Sequence, residues 1–224
     1  MQGTRLRILQ LLQRSHSETV DGLARAIALA PATIRRHLDI LQRDRLVAFR
    51  EVRKKTGRPE YSFYLTEGGQ EALPKGYAEL LGMVVQEMSS LDSSDTRQKD
   101  GQQLLELVFE RLAAGLTDPL DGEVRGKDLG QRLAILTGNL EEREFYPESN
   151  VVGGDLRIQL HNCPFRSVAL QNRALCVFDS NLISSLLGRS VERRSCIHDG
   201  DEGCMYVVEL ADEEAVQVVN ASPA

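Results

Sequence analysis

The sequence predicts an α+β fold, and two kinds of pattern support this prediction. Apolar side chains recur every three or four positions over most of residues 4–43 and 67–144, which is typical of helices. Short alternating segments, typical of strands, occur at residues 46–53, 60–65 and 154–160. In addition, all four cysteines of the chain fall in its C-terminal third. We therefore expect a helical N-terminal domain with a hairpin, a central helical region and a C-terminal α+β domain.

The composition is that of an ordinary globular protein, with 42% hydrophobic and 27% charged residues in a chain of 224. No apolar run approaches the roughly 20 residues that span a bilayer, and the N-terminus lacks the basic-then-apolar pattern of a signal peptide. We therefore expect no membrane contact and a cytoplasmic location. Thiols stay reduced there, and clustered cysteines are more often metal ligands or redox sensors than disulfides.

The net charge of −6 conceals two regions of opposite sign. Residues 1–75 hold 14 Lys or Arg against eight Asp or Glu, whereas residues 76–224 hold 13 against 25. A basic N-terminal third on an acidic protein indicates that this third, and not the whole chain, meets a polyanion.

Three helices are predicted in the N-terminal third. Residues 4–14 form the first, Thr19 offers an N-cap for the second, and Pro31 opens the third because proline suits the first turn of a helix. Apolar residues at i, i+4 and i+7 turn one face of the third helix toward the core. The interleaved polar residues, some of which must point outward, are Thr33, Arg35, Arg36 and His37.

Two predicted strands follow, separated by the basic turn of residues 54–59. Three helices and a basic-tipped hairpin make a winged helix-turn-helix, in which a helix enters the major groove and Arg can pair with guanine. Basic residues around it neutralise phosphates, and a Gly-Arg-Pro tip is placed to enter a minor groove. A merely solvated basic surface is the alternative, which the ordered pattern disfavours. The expected contacts from the hairpin to double-stranded DNA are Arg53, Lys54, Lys55 and Arg58.

The N-terminal third resembles the winged-helix regulators of the ArsR/DeoR type in bacteria. This resemblance implies a DNA-binding domain over residues 1–75 and says nothing about the signal. The motifs that carry it are Ala32-Thr33-Ile34-Arg35-Arg36-His37-Leu38-Asp39, Gly57-Arg58-Pro59 and Tyr64-Leu65-Thr66-Glu67-Gly68-Gly69.

Residues 76–145 are predicted to form a helical dimerisation and linker region. A helix over 67–89 carries an apolar stripe, polar residues 89–100 read as a linker, and two amphipathic helices follow at 102–116 and 127–144. Packing of the first helix within one chain is an alternative. We expect a homodimer instead, because operators are commonly two-fold and a dimer places two reading helices one turn apart.

The C-terminal region, residues 146–224, is predicted to be the sensor domain because it holds all the thiols. Thiolate is the soft ligand of iron–sulfur clusters and zinc, and four cysteines suffice for a 4Fe–4S cluster or a tetrahedral zinc ion. The absence of a Cys-x2-Cys knuckle disfavours zinc, and the spacing does not match a ferredoxin run either. A cluster is favoured, while zinc, a redox thiol pair and inert buried cysteines stay open. The candidate ligands are Cys163, Cys176, Cys196 and Cys204.

The same region resembles the C-terminal half of the SufR family, through Asn162-Cys163-Pro164-Phe165, Cys176 and the Gly200–Cys204 segment before an apolar strand. Members of that family are repressors that sense an iron–sulfur cluster and control genes for its assembly. The resemblance implies ligands at Cys163, Cys176 and Cys204. The family's fourth cysteine would fall near Arg189 or Ser190, so we expect Cys196 to replace it. The Cys196-x7-Cys204 hairpin also resembles 4-vinyl reductase-type ligand-binding domains.

Together these observations predict a cytoplasmic, homodimeric transcriptional repressor that senses an iron–sulfur cluster, with 4Fe–4S expected and zinc as the alternative. The resemblance implies that the cluster-loaded form binds DNA more tightly. The competing interpretation is a winged-helix regulator that binds a small organic ligand or zinc and has structural cysteines. We expect no enzymatic activity, because the sequence shows no Ser/His/Asp triad, phosphate loop or nucleotide-binding fingerprint.

Overall fold

The computed structural model describes residues 3–53 and 60–211, except for the side chains of Pro119 and Asp121. The chain divides into two compact units, Met1–Lys75 and Gly76–Ala224. Each unit combines helices with an antiparallel sheet, so the α+β fold class predicted from the sequence is confirmed.

The N-terminal unit is a winged helix-turn-helix. Its elements in chain order are α1 (Thr4–Ser15), β1 (Glu18–Thr19), α2 (Val20–Ile27), α3 (Pro31–Arg43), β2 (Val47–Val52), β3 (Glu60–Leu65) and α4 (Glu67–Glu71). The sheet has the strand order β1-β3-β2, because the two-residue strand β1 adds to the free edge of the β2–β3 hairpin.

Local chemistry explains where the helices of this unit begin. Thr19 is extended, and its Oγ1 accepts a hydrogen bond from Gly22 N at 3.1 Å, which caps α2. Pro31 is the first residue of α3, where its missing N–H leaves no hydrogen bond unmade. The apolar side chains that α3 turns into the core are at most 1% exposed: Ile34, Leu38 and Leu41.

A close backbone approach fixes α4 beside the start of the hairpin. Thr66 Oγ1 accepts a hydrogen bond from Gly69 N at 3.0 Å and donates one to Arg45 O at 2.6 Å. Gly69 lies so near to this segment that a Cβ atom there would overlap the carbonyl oxygen of Leu46. Only glycine therefore fits at this position without displacing backbone.

The C-terminal unit contains the remaining elements. In chain order they are α5 (Tyr77–Ser90), α6 (Ser93–Thr96), α7 (Gly101–Thr117), α8 (Asp121–Val124), α9 (Leu129–Glu142), β4 (Pro147–Val152), β5 (Asp155–Leu160), α10 (Arg166–Gln171), α11 (Leu175–Leu187), β6 (Glu192–Ser195) and β7 (Cys204–Glu209). Short 3-10 turns at Asp118–Leu120 and Ile197–Asp199 complete the list.

The sheet of this unit is antiparallel, with the strand order β4-β5-β7-β6. Alternate residues of β5 and β7 are buried, and the register places Leu160 opposite Cys204. Helix α11 contacts α7 and α9 and shares one hydrophobic core with them and with the buried face of the sheet. Helices of residues 76–145 and the sheet of residues 146–211 therefore fold around the same core.

Three sequence predictions need correction. The helix expected over residues 67–89 is two helices, α4 and α5, because Pro74 has no N–H to continue the first one. Strands β1 and β4 were not expected, since neither shows strong alternation of apolar residues. The polar segment expected as a linker contains α6, whose N-cap Asp92 forms a capping box with Asp95.

No helix in the described ranges is long and apolar enough to cross a lipid bilayer.

We expect Gly69→Ala to destabilise the N-terminal unit by about 2–3 kcal/mol, because the added methyl group must displace the backbone at Leu46. Chemical denaturation followed by circular dichroism measures the loss. Gly115→Ala on α7 is the matched control, since Gly115 is exposed and a Cβ there meets no atom within 4 Å. Equal stability of the Gly69→Ala and Gly115→Ala proteins would contradict this interpretation of the turn.

Candidate functional site

The outer face of α3 is the candidate DNA-reading surface. Thr33, Arg35 and Arg36 are all exposed in its first two turns, whereas its apolar residues fill the core. His37, predicted alongside them, is only partly exposed, and its Nδ1 is buried without a hydrogen-bond partner. The ring of His37 therefore contributes less to the outer face than the sequence pattern indicates.

The hairpin adds a second exposed surface to this unit. Arg53 follows β2 and is exposed, while the predicted contacts Lys54, Lys55 and Arg58 lie outside the described residues. The strands expose an aromatic pair that the sequence reasoning missed, with the rings of Phe49 and Tyr61 in edge-to-face contact at 4.9 Å. Alternation along the strands does not reveal this pair, because Phe49 and Tyr61 lie on the same face as the buried Val47 and Phe63 and are nevertheless about half exposed.

The four cysteines come from four different parts of the C-terminal unit. Cys163 lies in the loop between β5 and α10, Cys176 in the first turn of α11, Cys196 directly after β6, and Cys204 at the start of β7. All four are free thiols, and none is more than 8% exposed. The fold thus brings four cysteines from a 42-residue stretch of sequence into one hydrophobic core.

Three of these thiols meet where the start of α11 packs against the turn between β6 and β7. Cys176 Sγ and Cys196 Sγ lie 3.7 Å apart. Cys204 is the second hydrogen-bonding neighbour of Cys196, and these two hydrogen bonds lower the pKa of Cys196. The same contacts, together with burial, raise the pKa of Cys176 and of Cys204. The arrangement therefore favours one thiolate, at Cys196, that two neighbouring thiols stabilise.

The turn that follows Cys196 is fixed by its own hydrogen bonds. Cys196 N donates to Asp201 Oδ2 at 2.8 Å, and Asp199 N donates to Cys196 O at 2.9 Å. Gly200 has a φ of 94°, a left-handed conformation that glycine adopts without strain. Arg173, just before α11, pairs with Asp199 at 3.2 Å. These contacts hold the turn against the start of α11 and keep the sulfurs together.

A buried carboxyl and a guanidinium lie beside the thiols, and the sequence reasoning missed both. Asp179 is one turn after Cys176 on α11 and only 6% exposed. Burial raises its pKa to about 7, and the nearby Cys196 adds to this effect while Arg193 opposes it. Arg193 Nη1 donates to Cys176 O at 3.0 Å. The available signal for Asp179 was that it is the only charged residue of α11, and an acid is rarely buried in a core helix without a partner.

Residues 2–48, which include α1, α2 and α3, match the family described as bacterial regulatory protein, arsR family. The protein is a DNA-binding transcriptional regulator. The matched range contains the reading helix but ends before the hairpin tip and the whole C-terminal unit.

Known structures and curated proteins add no support for a function. The chain is similar to a crystal structure of Bacillus subtilis PadR in complex with operator DNA, at 16% sequence identity over 82% of this chain and 97% of that chain. The TM-score is 0.29, which is too low to support a conclusion about fold or function. No curated protein matches the sequence of this regulator.

The chemistry of the C-terminal thiols fits a thiophilic metal or cluster, because four soft donors lie in one core that excludes water. Their present geometry is not that of a finished site. Within residues 3–53 and 60–211, no three His, Cys, Asp or Glu side chains form a group spaced to hold a metal ion. Binding at these thiols therefore requires the sulfurs to move relative to one another.

If α3 is the DNA-reading helix, one of its exposed arginines should contribute to operator affinity. We expect Arg36→Ala to weaken operator binding by roughly ten- to a hundred-fold, the usual cost of one lost base contact, without changing metal content. Fluorescence anisotropy with labelled operator measures the affinity. Arg7→Ala removes the same charge from an exposed position on α1 and serves as the control. If both variants lose affinity equally, Arg36 acts only through general charge.

Proposed function

We propose that this regulator is a repressor that senses an iron–sulfur cluster held by Cys163, Cys176, Cys196 and Cys204. One observation carries the proposal. The chain's four thiols are all free, all buried and all part of the core of the C-terminal unit, outside the DNA-binding unit. In a reducing cytoplasm such thiols stay available as ligands. The observed sequence and structure support Cys196 as the fourth ligand, since it contacts Cys176 and Cys204.

A bound cluster would be lost when oxygen is present or iron is scarce, so the presence or absence of the cluster would report these conditions to the regulator. The chain's own residues provide the surroundings for that group. Arg193, beside Cys176 and Cys196, offsets the negative charge of ligating thiolates. The raised pKa of Asp179 limits the additional negative charge that this carboxyl brings near neutral pH. The apolar core around the thiols keeps water away from them.

Zinc is the second candidate, and one distance favours it. Two thiolates on one tetrahedral zinc ion, each bonded at about 2.3 Å, stand roughly 3.8 Å apart, and Cys176 Sγ and Cys196 Sγ lie 3.7 Å apart. A cubane binds each thiolate through a different iron, so its four sulfurs stand wider apart. Cluster binding therefore needs a larger separation of the sulfurs than zinc binding does.

A small organic ligand has less support among the described residues. A groove of about 350 Å³ lies at one end of the sheet of the C-terminal unit. Its lining is largely charged and not apolar, which suits an organic effector poorly. The lining residues are Asp155, Arg189, Ser190, Val191, Glu192, Arg194, Val207 and Glu209.

We further propose that the regulator acts as a homodimer through helix α5. Leu81, Val85 and Met88 occupy positions i, i+4 and i+7, and they are 65%, 56% and 59% exposed. A Cβ at Gly82, beside them, would meet no atom within 4 Å, so another helix has room to approach. A second copy is the occupant that fits a DNA reader, because a two-fold dimer presents two recognition helices to a two-fold operator.

We expect Val85→Glu to convert the dimer to monomer, because the new carboxylate would be buried in the interface without a partner. Sedimentation velocity measures the oligomeric state. Gln86→Glu introduces the same charge at the next exposed position of α5 and should leave the dimer intact. A Val85→Glu protein that stays dimeric would show that the copies meet elsewhere.

We expect Cys163→Ser or Cys176→Ser to abolish cluster binding while the protein still folds and dimerises, since each removes one thiolate ligand. Iron and acid-labile sulfide, measured after anaerobic purification, report the cluster. Ser185→Ala on α11 is the control, because Ser185 is exposed and lies nine residues after Cys176 in the same helix. Full iron and sulfide in both cysteine variants would exclude these residues as ligands. Iron-free protein with one zinc per monomer would instead support the zinc sensor.

A further inference from the structure

The loop that carries Cys163 is held on its C-terminal side by the first residues of α5. Gly76 N donates a hydrogen bond to Pro164 O at 3.1 Å. Ser167 N donates to Tyr77 Oη at 3.1 Å, and Ser167 Oγ lies 2.8 Å from the same phenol oxygen. The chain on the C-terminal side of Cys163 therefore cannot move independently of the start of α5 without breaking these hydrogen bonds.

Packing reinforces these hydrogen bonds. A Cβ at Gly76 would stand 2.8 Å from Cε1 of Phe165, so the backbone of Gly76 lies against that ring. Gly76 has a φ of −101°, which any residue adopts. Glycine is required here because a larger side chain would collide with the ring of Phe165. Phe165 is 2% exposed and lies between the rings of Phe145 and Phe178, each 6.1 Å away. The ring consequently has little room to yield.

The N-terminal side of the loop and helix α5 are tied to one further segment. Asn162 Nδ2 donates to Glu144 O at 2.6 Å, and Asn162 N donates to Phe145 O at 3.0 Å. Arg143, which directly precedes Glu144, donates from Nη1 to Glu79 Oε1 of α5 at 2.6 Å. The cysteine loop, the start of α5 and residues 143–145 therefore form one hydrogen-bonded assembly.

We propose that Gly76 and Tyr77 are positioning residues that couple the Cys163 loop to helix α5. Movement of Cys163 on ligand capture shifts Pro164 and Ser167, and these residues shift the start of α5. Gly76 directly follows Lys75, the last residue of the DNA-binding unit. A displacement of Gly76 therefore acts on the chain at the point where that unit ends. This inference rests on the proposed function, since it takes Cys163 as a ligand whose position changes.

Removing the phenol oxygen tests the coupling. The full-length protein is loaded anaerobically with ferrous iron and sulfide, and operator affinity is measured for the loaded and metal-free forms by fluorescence anisotropy. In the wild type we expect the two affinities to differ by at least about five-fold, the lower end of usual allosteric couplings. In Tyr77→Phe and in Ser167→Ala we expect this ratio to fall toward one while iron and sulfide per monomer stay unchanged. Ser90→Ala, which removes a hydroxyl bonded only within α5, should keep the wild-type ratio.

The outcomes separate the inference from the function on which it rests. A Tyr77→Phe protein that loads normally and keeps the wild-type ratio overturns the coupling and leaves cluster sensing intact. A wild type that takes up no iron and sulfide overturns the proposed function and the coupling together. Gly76→Ala gives an independent check, because its methyl group pushes on Phe165 and removes no hydrogen-bonding atom of Tyr77. A wild-type ratio in Gly76→Ala would contradict the role given to Gly76.

Discussion

The contact among Cys176, Cys196 and Cys204 is the constraint on which the thiol site of the C-terminal unit depends. Three sulfurs from a helix, a turn and a strand share one buried space, and their hydrogen bonds favour a thiolate at Cys196. A buried negative charge is costly unless it is paired, and Arg193 supplies the nearby positive charge. Thiolate is a soft ligand, so a bound soft cation would relieve the same charge in the proposed sensor.

Transmission to DNA needs a small free-energy difference between two states of the protein. Couplings between sites typically amount to about 1–3 kcal/mol, which already changes operator occupancy several-fold. A ligand shifts the population only if it binds one state more tightly than the other. In the proposed function Cys163 is a ligand together with Cys176, Cys196 and Cys204, so cluster binding would be linked to the position of the Cys163 loop. That loop touches the first residues of α5, which directly follow the DNA-binding unit.

Sequence periodicity predicted the N-terminal unit well because its helices are amphipathic and its caps are explicit. Thr19 and Pro31 mark helix starts in the sequence and occupy those positions in the structure. The break between α4 and α5 was predictable from Pro74, yet the apolar stripe on both sides concealed it. Strand β4 could not be predicted, because its pairing with β5 depends on a partner and not on its own alternation.

The candidate site was only partly predictable for similar reasons. The four cysteines were visible as a cluster in sequence, but which sulfurs meet depends on how α11 packs against the β6–β7 turn. Asp179 and Arg193 escaped notice because they lie among residues typical of a core helix and a surface strand. His37 shows the opposite case, in which a residue at an apparently outward position turns its Nδ1 inward.

The measurement that tests the central claim most directly is metal and sulfide analysis of the full-length regulator purified without oxygen, together with its visible absorption spectrum. Cluster sensing predicts a brown protein with about four iron and four sulfide per monomer, the content of a cubane on four cysteines. A colourless protein that also fails to take up iron and sulfide on reconstitution would contradict the account. The regulator would then remain a DNA-binding protein whose buried thiols serve zinc, thiol oxidation or the stability of the core.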